Sequence, residues 1–102
     1  MTTSLFVTYR VPDDAASFDK SYFDGHIPLA KKMPGLLETR VSKVTNKLAG
    51  DPELYVITEL VFDDLASAQK ALGSDEGKAT SVDLASWGGD KLASIYLADR
   101  AV

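Results

Sequence analysis

The only histidine of the chain, His26, follows Tyr22 by four residues. Side chains four residues apart lie on the same side of a helix, so this imidazole and this phenol can contact one small molecule. Imidazole titrates near neutral pH, and beside a phenol it can accept and donate protons on an organic compound. The spacing therefore indicates a candidate catalytic acid/base pair, Tyr22 and His26.

The apolar residues around this pair indicate which way it points. A helix over residues 15–33 turns by about 100° per residue, which gathers its large apolar side chains into an arc of roughly 80°. The arc contains Phe18, Tyr22, His26, Leu29 and Met33. We therefore predict that His26 points inward, towards a sheet, and that Phe18, Leu29 and Met33 contact a ligand bound beside it.

Two helix-interrupting residues flank the imidazole. Pro28 has no N–H to donate to the carbonyl of Asp24, and Gly25 adds backbone freedom. We expect the helix to bend here and to open a gap towards the sheet. An alternative stays open at this point: a buried histidine often does no more than hydrogen-bond a buried partner, because enclosed polar groups need one.

Composition excludes several other classes of function. The 102 residues are expected to form one domain over 1–102, and the net charge of -4, with no basic cluster beyond Lys31 and Lys32, argues against nucleic-acid binding. The absence of cysteine and the single histidine exclude disulfides and metal centres built from cysteines or several histidines of one chain. Without a membrane-length apolar run or a signal-peptide pattern, we expect a cytoplasmic protein that does not bind membranes.

The elements that would position the pair follow from the patterning of the whole chain. Strands are predicted over residues 5–10, 36–45, 54–62 and 91–98, and helices over 15–33, 64–73 and 74–87. The order β-α-β-β-α-α-β predicts an α+β, ferredoxin-like fold. In this fold an antiparallel four-stranded sheet carries its helices on one face.

The strand over 54–62 is apolar on both of its faces, with Val56 and Leu60 on one side and Ile57 and Val61 on the other. A sheet face open to water usually alternates with polar residues. We therefore predict that a second copy of the chain covers the helix-free face, giving a homodimer. A monomer with scattered exposed apolar side chains is the alternative.

Two segments resemble the EthD family, named for ethyl tert-butyl ether degradation. The first is F-x3-YF-x2-H-IPL, from Phe18 to Leu29, which a PG turn follows; the second is SDEGKATSVDLASW, from Ser74 to Trp87. The resemblance implies a dimeric α+β barrel, in which two ferredoxin-like units pair their sheets. The EthD protein itself accompanies an oxygenase system in ether breakdown without an assigned step, and fungal relatives resemble enzymes that tailor polyketides.

The residues and the resemblance together predict a protein that binds a small, mostly apolar organic molecule in a helix–sheet cleft. If it is an enzyme, cofactor-free oxidation or proton transfer on an aromatic or polyketide-like compound is expected. That chemistry would be monooxygenase-like, or isomerase- or decarboxylase-like. No G-x-G-x-x-G motif follows a strand, and we expect no bound cofactor. A non-catalytic binding or auxiliary protein of an oxygenase system, or a purely structural domain, remains open.

Overall fold

The computed structural model describes all 102 residues and confirms the α+β, ferredoxin-like plan. Its single sheet is antiparallel and has the strand order β2-β3-β1-β4. The four strands are β1 (Thr3–Arg10), β2 (Glu38–Lys43), β3 (Leu54–Phe62) and β4 (Ala93–Asp99). The two central strands, β3 and β1, therefore lie next to each other although 43 residues separate them in the chain (Arg10 to Leu54).

Three helices cover one face of this sheet and enclose the core with it. They are α1 (residues 15–30), α2 (Leu65–Gly73) and α3 (Asp75–Ser86), and a short 3-10 turn, Gly89–Lys91, precedes β4. Each helix begins at a side chain that accepts a hydrogen bond from a backbone N–H three residues later: Asp14, Asp64 and Ser74. No helix is long and apolar enough to cross a membrane.

Helix α1 changes its geometry midway, beside the histidine. It consists of an α-helical segment, Ala15–Asp19, a π-helical segment, Lys20–His26, and a second α-helical segment, Ile27–Ala30. At the second junction the Ile27 N–H donates to the carbonyl of Tyr22, five residues earlier. Pro28 cannot donate the next α-helical bond, which favours this wider turn. The predicted irregularity is thus a π-helical segment, a rare element that is frequent at functional sites.

Other boundaries differ from the sequence prediction for local reasons. Helix α1 ends at Ala30 rather than near Met33, because Pro34 disfavours helical geometry in the residue before it. Strand β4 begins at Ala93 because the chain first passes through the 3-10 turn. Strict alternation along β3 would place Tyr55 on the same face as Ile57, but a register shift in the pairing of β1 with β3 lets the Tyr55 ring pack on α1 instead.

The face of the sheet away from the helices combines apolar and charged side chains. Phe6 and Tyr96 pair across β1 and β4 on this face, and the Tyr96 side chain is 59% exposed. Next to them Glu59 accepts hydrogen bonds from Ser4 at 2.7 Å and from Arg40 at 3.2 Å. This surface therefore contains exposed aromatic area, as the two-faced strand pattern predicted.

One glycine at the junction of α2 and α3 supports a sharp stability prediction. A Cβ on Gly77 would lie 2.2 Å from the carbonyl oxygen of Ala71 and 2.7 Å from that of Leu72. Backbone atoms cannot move aside cheaply, so Gly77→Ala is expected to lower the free energy of unfolding by at least about 1–3 kcal/mol in urea melts. Gly73→Ala is the matched control, because a Cβ there meets nothing within 4 Å. Equal stabilities of the two variants would contradict the prediction.

Candidate functional site

A partly enclosed cleft separates α1 and α3 from the sheet. Its volume is about 70 Å³, several times the roughly 10–15 Å³ that one water molecule requires. Eleven of its 16 lining residues are hydrophobic, and none is a lysine, arginine, aspartate or glutamate. The apolar lining includes Leu5, Val7, Met33, Leu60 and Leu84. A cleft of this kind favours an uncharged, mostly apolar ligand.

His26 lies at this cleft and is buried, with 6% of its surface exposed. Its Nδ1 atom is 3.1 Å from Oδ2 of Asp83 on α3. Because a carboxylate only accepts hydrogen bonds, a neutral imidazole donates from Nδ1 and keeps a lone pair on Nε2. Nε2 forms no hydrogen bond within the protein. Since every fully enclosed side-chain nitrogen and oxygen has a partner, Nε2 must have some exposed surface. The lone pair is therefore accessible as a base.

Asp83 is itself held in place. Trp87, which directly follows the last residue of α3, donates from Nε1 to the same carboxylate oxygen at 3.2 Å. The indole also packs edge-on against the His26 ring, with centroids 6.3 Å apart. This arrangement fixes both the tautomer and the orientation of the imidazole, which are the requirements for a general base.

The pKa of His26 follows from two opposing influences. Burial lowers it, and the Asp83 carboxylate raises it by a smaller amount, so the net pKa lies below the usual value. The imidazole is therefore neutral at physiological pH, as a proton acceptor must be. The lower folded-state pKa also means that the unfolded chain binds more protons than the folded chain below about pH 6.5.

We therefore expect stability to fall as the pH drops from 7 towards 5, because histidine ordinarily changes its charge in this range and His26 is the only histidine of the chain. Asp83→Asn should lower the His26 pKa further, because it removes the carboxylate that favours the imidazolium. NMR titration of the single histidine measures this directly, with Asp51→Asn at an exposed loop position as the control. A parent pKa above 6.5, or one that Asp83→Asn raises, would contradict this account.

Tyr22 is completely buried and stacks on His26, with ring centroids 5.7 Å apart and planes inclined by 27°. Its hydroxyl forms a short hydrogen bond with the Thr58 hydroxyl on β3. Burial raises the pKa of the Tyr22 phenol to about 12, although the bond to Thr58 opposes this. Tyr22 is therefore a neutral hydrogen-bonding group at the cleft.

The structure brings together three of the five residues singled out from the sequence. His26, Tyr22 and Met33 line the cleft, whereas Phe18 and Leu29 do not. Phe18 lies behind the site, stacked on Tyr22 with centroids 5.3 Å apart. Leu29 is displaced because the π-helical segment shifts the inward stripe by about one residue. Ile27 and Ala30 line the cleft in its place.

Asp83 lies in the second EthD-like segment, Ser74 to Trp87, but sequence reasoning gave neither Asp83 nor Thr58 a role in the site. Asp83 flanks the inward stripe of α3 that includes Gly77, Thr80 and Leu84. The sequence contains one weak signal for the role of Asp83. It is an acidic residue at the edge of the inward stripe, one helical turn before a tryptophan. No group of three or more histidine, cysteine, aspartate or glutamate side chains is arranged to hold a metal ion.

Fold and site together define a ferredoxin-like α+β protein with a histidine-bearing cleft between its helices and its sheet. The sequence profile of the EthD domain matches residues 13–87, which include His26 and Asp83. The crystal structure of an EthD family protein from Bacillus halodurans is 33% identical, covers 98% of this chain and 99% of its own, and superposes with a TM-score of 0.91. The chain belongs to the EthD family.

Other relatives extend the comparison. An uncharacterized 11.0 kDa protein from the thcB-thcC intergenic region of Rhodococcus erythropolis is 26% identical over 94% of this chain and 93% of its own length. A dimeric ferredoxin-like protein of unknown function from Jannaschia sp. CCS1 has a TM-score of 0.72 at 15% identity, over 98% of this chain and all of its own.

A mutant form of SnoaB, a cofactor-independent oxygenase from Streptomyces nogalater, has a TM-score of 0.68 at 13% identity, over 99% of this chain and 94% of its own. At these identities the Jannaschia and Streptomyces structures show a shared fold alone.

Proposed function

We propose that the protein binds a small, mostly apolar organic molecule in the cleft between α1 and the sheet, with His26 and Tyr22 as polar contacts. The observation that carries this proposal is the unpartnered, accessible Nε2 atom of a histidine oriented by Asp83 at an apolar cleft. A buried histidine with a purely structural role is expected to have both ring nitrogens hydrogen-bonded, because buried polar groups normally have partners. Phe18 acts indirectly, by stacking on Tyr22 behind the cleft.

The chemistry that this geometry supports is proton transfer without a cofactor. Nε2 of His26 takes a proton from an acidic C–H or O–H bond of the ligand, and the electron pair stays on the ligand as an enolate or phenolate. The Asp83 carboxylate stabilises the imidazolium that forms. Reprotonation at another atom gives isomerisation, and reaction of an electron-rich anion with dioxygen gives oxidation, in line with the cofactor-independent oxygenase that shares the fold.

A non-catalytic binding or auxiliary role is the second candidate. Two observations favour it: the Tyr22 hydroxyl is already engaged by Thr58, and the cleft is small. Aerobic and anaerobic incubation with enolisable aromatic ketones and phenols, followed by mass spectrometry, distinguishes the two roles. Turnover that His26→Ala abolishes supports an enzyme, whereas saturable binding without turnover supports a binding protein. The absence of both contradicts the proposal.

We also propose that two copies pair through the helix-free faces of their sheets, where Phe6 and Tyr96 provide aromatic area. Sedimentation of the parent should give a dimer, and Tyr96→Arg should give a monomer because it would place a charge in a largely apolar interface. Ile95→Arg is the matched control, since Ile95 is similarly exposed at 57% but lies on the opposite face. A monomeric parent at micromolar concentration would refute the pairing, and dissociation by Ile95→Arg alone would place the interface elsewhere.

A further inference from the structure

Tyr9 is a polar group at the cleft that takes no part in the proposed proton transfer. It lies on β1, lines the cleft, and is buried except for 1% of its surface. Its ring packs edge-on against Phe18 and Tyr22, with centroids 5.5 and 5.1 Å away. These contacts hold the ring, but they do not involve its hydroxyl group.

The Tyr9 hydroxyl forms no hydrogen bond with any protein group, whereas Tyr22 bonds Thr58. Every fully enclosed side-chain nitrogen and oxygen of the protein has a hydrogen-bond partner. The Tyr9 oxygen has none, so the small surface that Tyr9 exposes includes this oxygen. A buried phenol normally has a hydrogen-bond partner, because its desolvation is otherwise uncompensated. The Tyr9 hydroxyl is therefore available to donate a hydrogen bond to a ligand in the cleft.

We infer that the Tyr9 hydroxyl donates a hydrogen bond to an uncharged oxygen of the ligand, and that the ligand class is therefore neutral, mostly apolar compounds with a hydrogen-bond-accepting oxygen, which an aromatic ketone represents in the test. This inference rests on the proposed function, because it names the ligand of that same cleft. Burial raises the pKa of Tyr9, so the phenol stays protonated and remains a donor. Since no cation lines the cleft, a carboxylate would enter it unpaired, which disfavours organic acids of the same shape.

The test uses three probes of nearly the same planar shape: acetophenone, α-methylstyrene, in which C=CH2 replaces C=O, and benzoate. Affinities are measured by NMR titration of the parent and of Tyr9→Phe. The parent should prefer acetophenone, and Tyr9→Phe should weaken acetophenone binding by about 3- to 10-fold while leaving α-methylstyrene unchanged. Benzoate should bind neither protein. Tyr9→Phe removes no bond within the protein, so its urea midpoint should match that of the parent.

Failure of the inference and failure of the proposed function give different results. If the parent binds both neutral probes equally, and Tyr9→Phe changes neither affinity, the role of Tyr9 is refuted while the apolar binding site stands. Binding of benzoate as tightly as acetophenone refutes the neutral ligand class. If the parent binds none of the probes, the proposed function falls, and the inference falls with it.

Discussion

Replacement of His26 by alanine is expected to abolish turnover and to weaken the binding of ligands that hydrogen-bond Nε2, while the protein stays folded. Loss of a positioned general base typically lowers a rate by 10²- to 10⁴-fold. The cost in stability should stay below the ~2–5 kcal/mol of a large core truncation, because the ring already borders a cavity. Asp83 also keeps its bond from Trp87 and is partly exposed.

Denaturant melts and binding of phenols, which can donate a hydrogen bond to Nε2, are measured on parent and variant and separate the two effects. The control is Asp83→Asn, which keeps the imidazole but changes its orientation and pKa, and it should show an intermediate loss of rate. Collapse of the His26→Ala fold, or unchanged binding and turnover in it, would mean that the histidine serves the structure alone.

Closing the mouth of the cleft is expected to have an equally large effect on binding. Ser81 lines the cleft but is itself exposed, so it lies at the opening. Ser81→Trp should fill this opening without overpacking the core, and ligand affinity should fall by at least tenfold. Its neighbour Val82 is 69% exposed and does not line the cleft, so Val82→Trp is the matched control. Equal affinities of the two variants in the same NMR titrations would place the ligand elsewhere.

The fold could be predicted from the sequence because the apolar and polar pattern of each helix and strand agrees with its position in the structure. Apolar residues at helical spacing in α1 predicted the inward direction of His26, and the structure buries that side chain. The two-faced pattern of β3 corresponds to a sheet with a helical side and an aromatic-bearing side. Each of these patterns lies within a single helix or strand, so it can be interpreted without knowing which other segments that element contacts.

The details of the site depend on contacts between distant segments, and for these the sequence was not sufficient. The bond from His26 to Asp83 joins residues 57 apart, and the bond from Tyr22 to Thr58 joins residues 36 apart. Pro28 indicated an irregular helix, but it did not specify a π-helical turn. That turn determines that Ala30, rather than Leu29, faces the cleft.

The most direct test of the account is a crystal structure of the protein grown with acetophenone. The ligand is expected between α1 and the sheet, with its ring against Leu60 and Leu84 and its carbonyl oxygen within about 3.2 Å of the Tyr9 hydroxyl oxygen. A ligand bound only outside the cleft, or a cleft closed by protein side chains at saturating ligand, would contradict it.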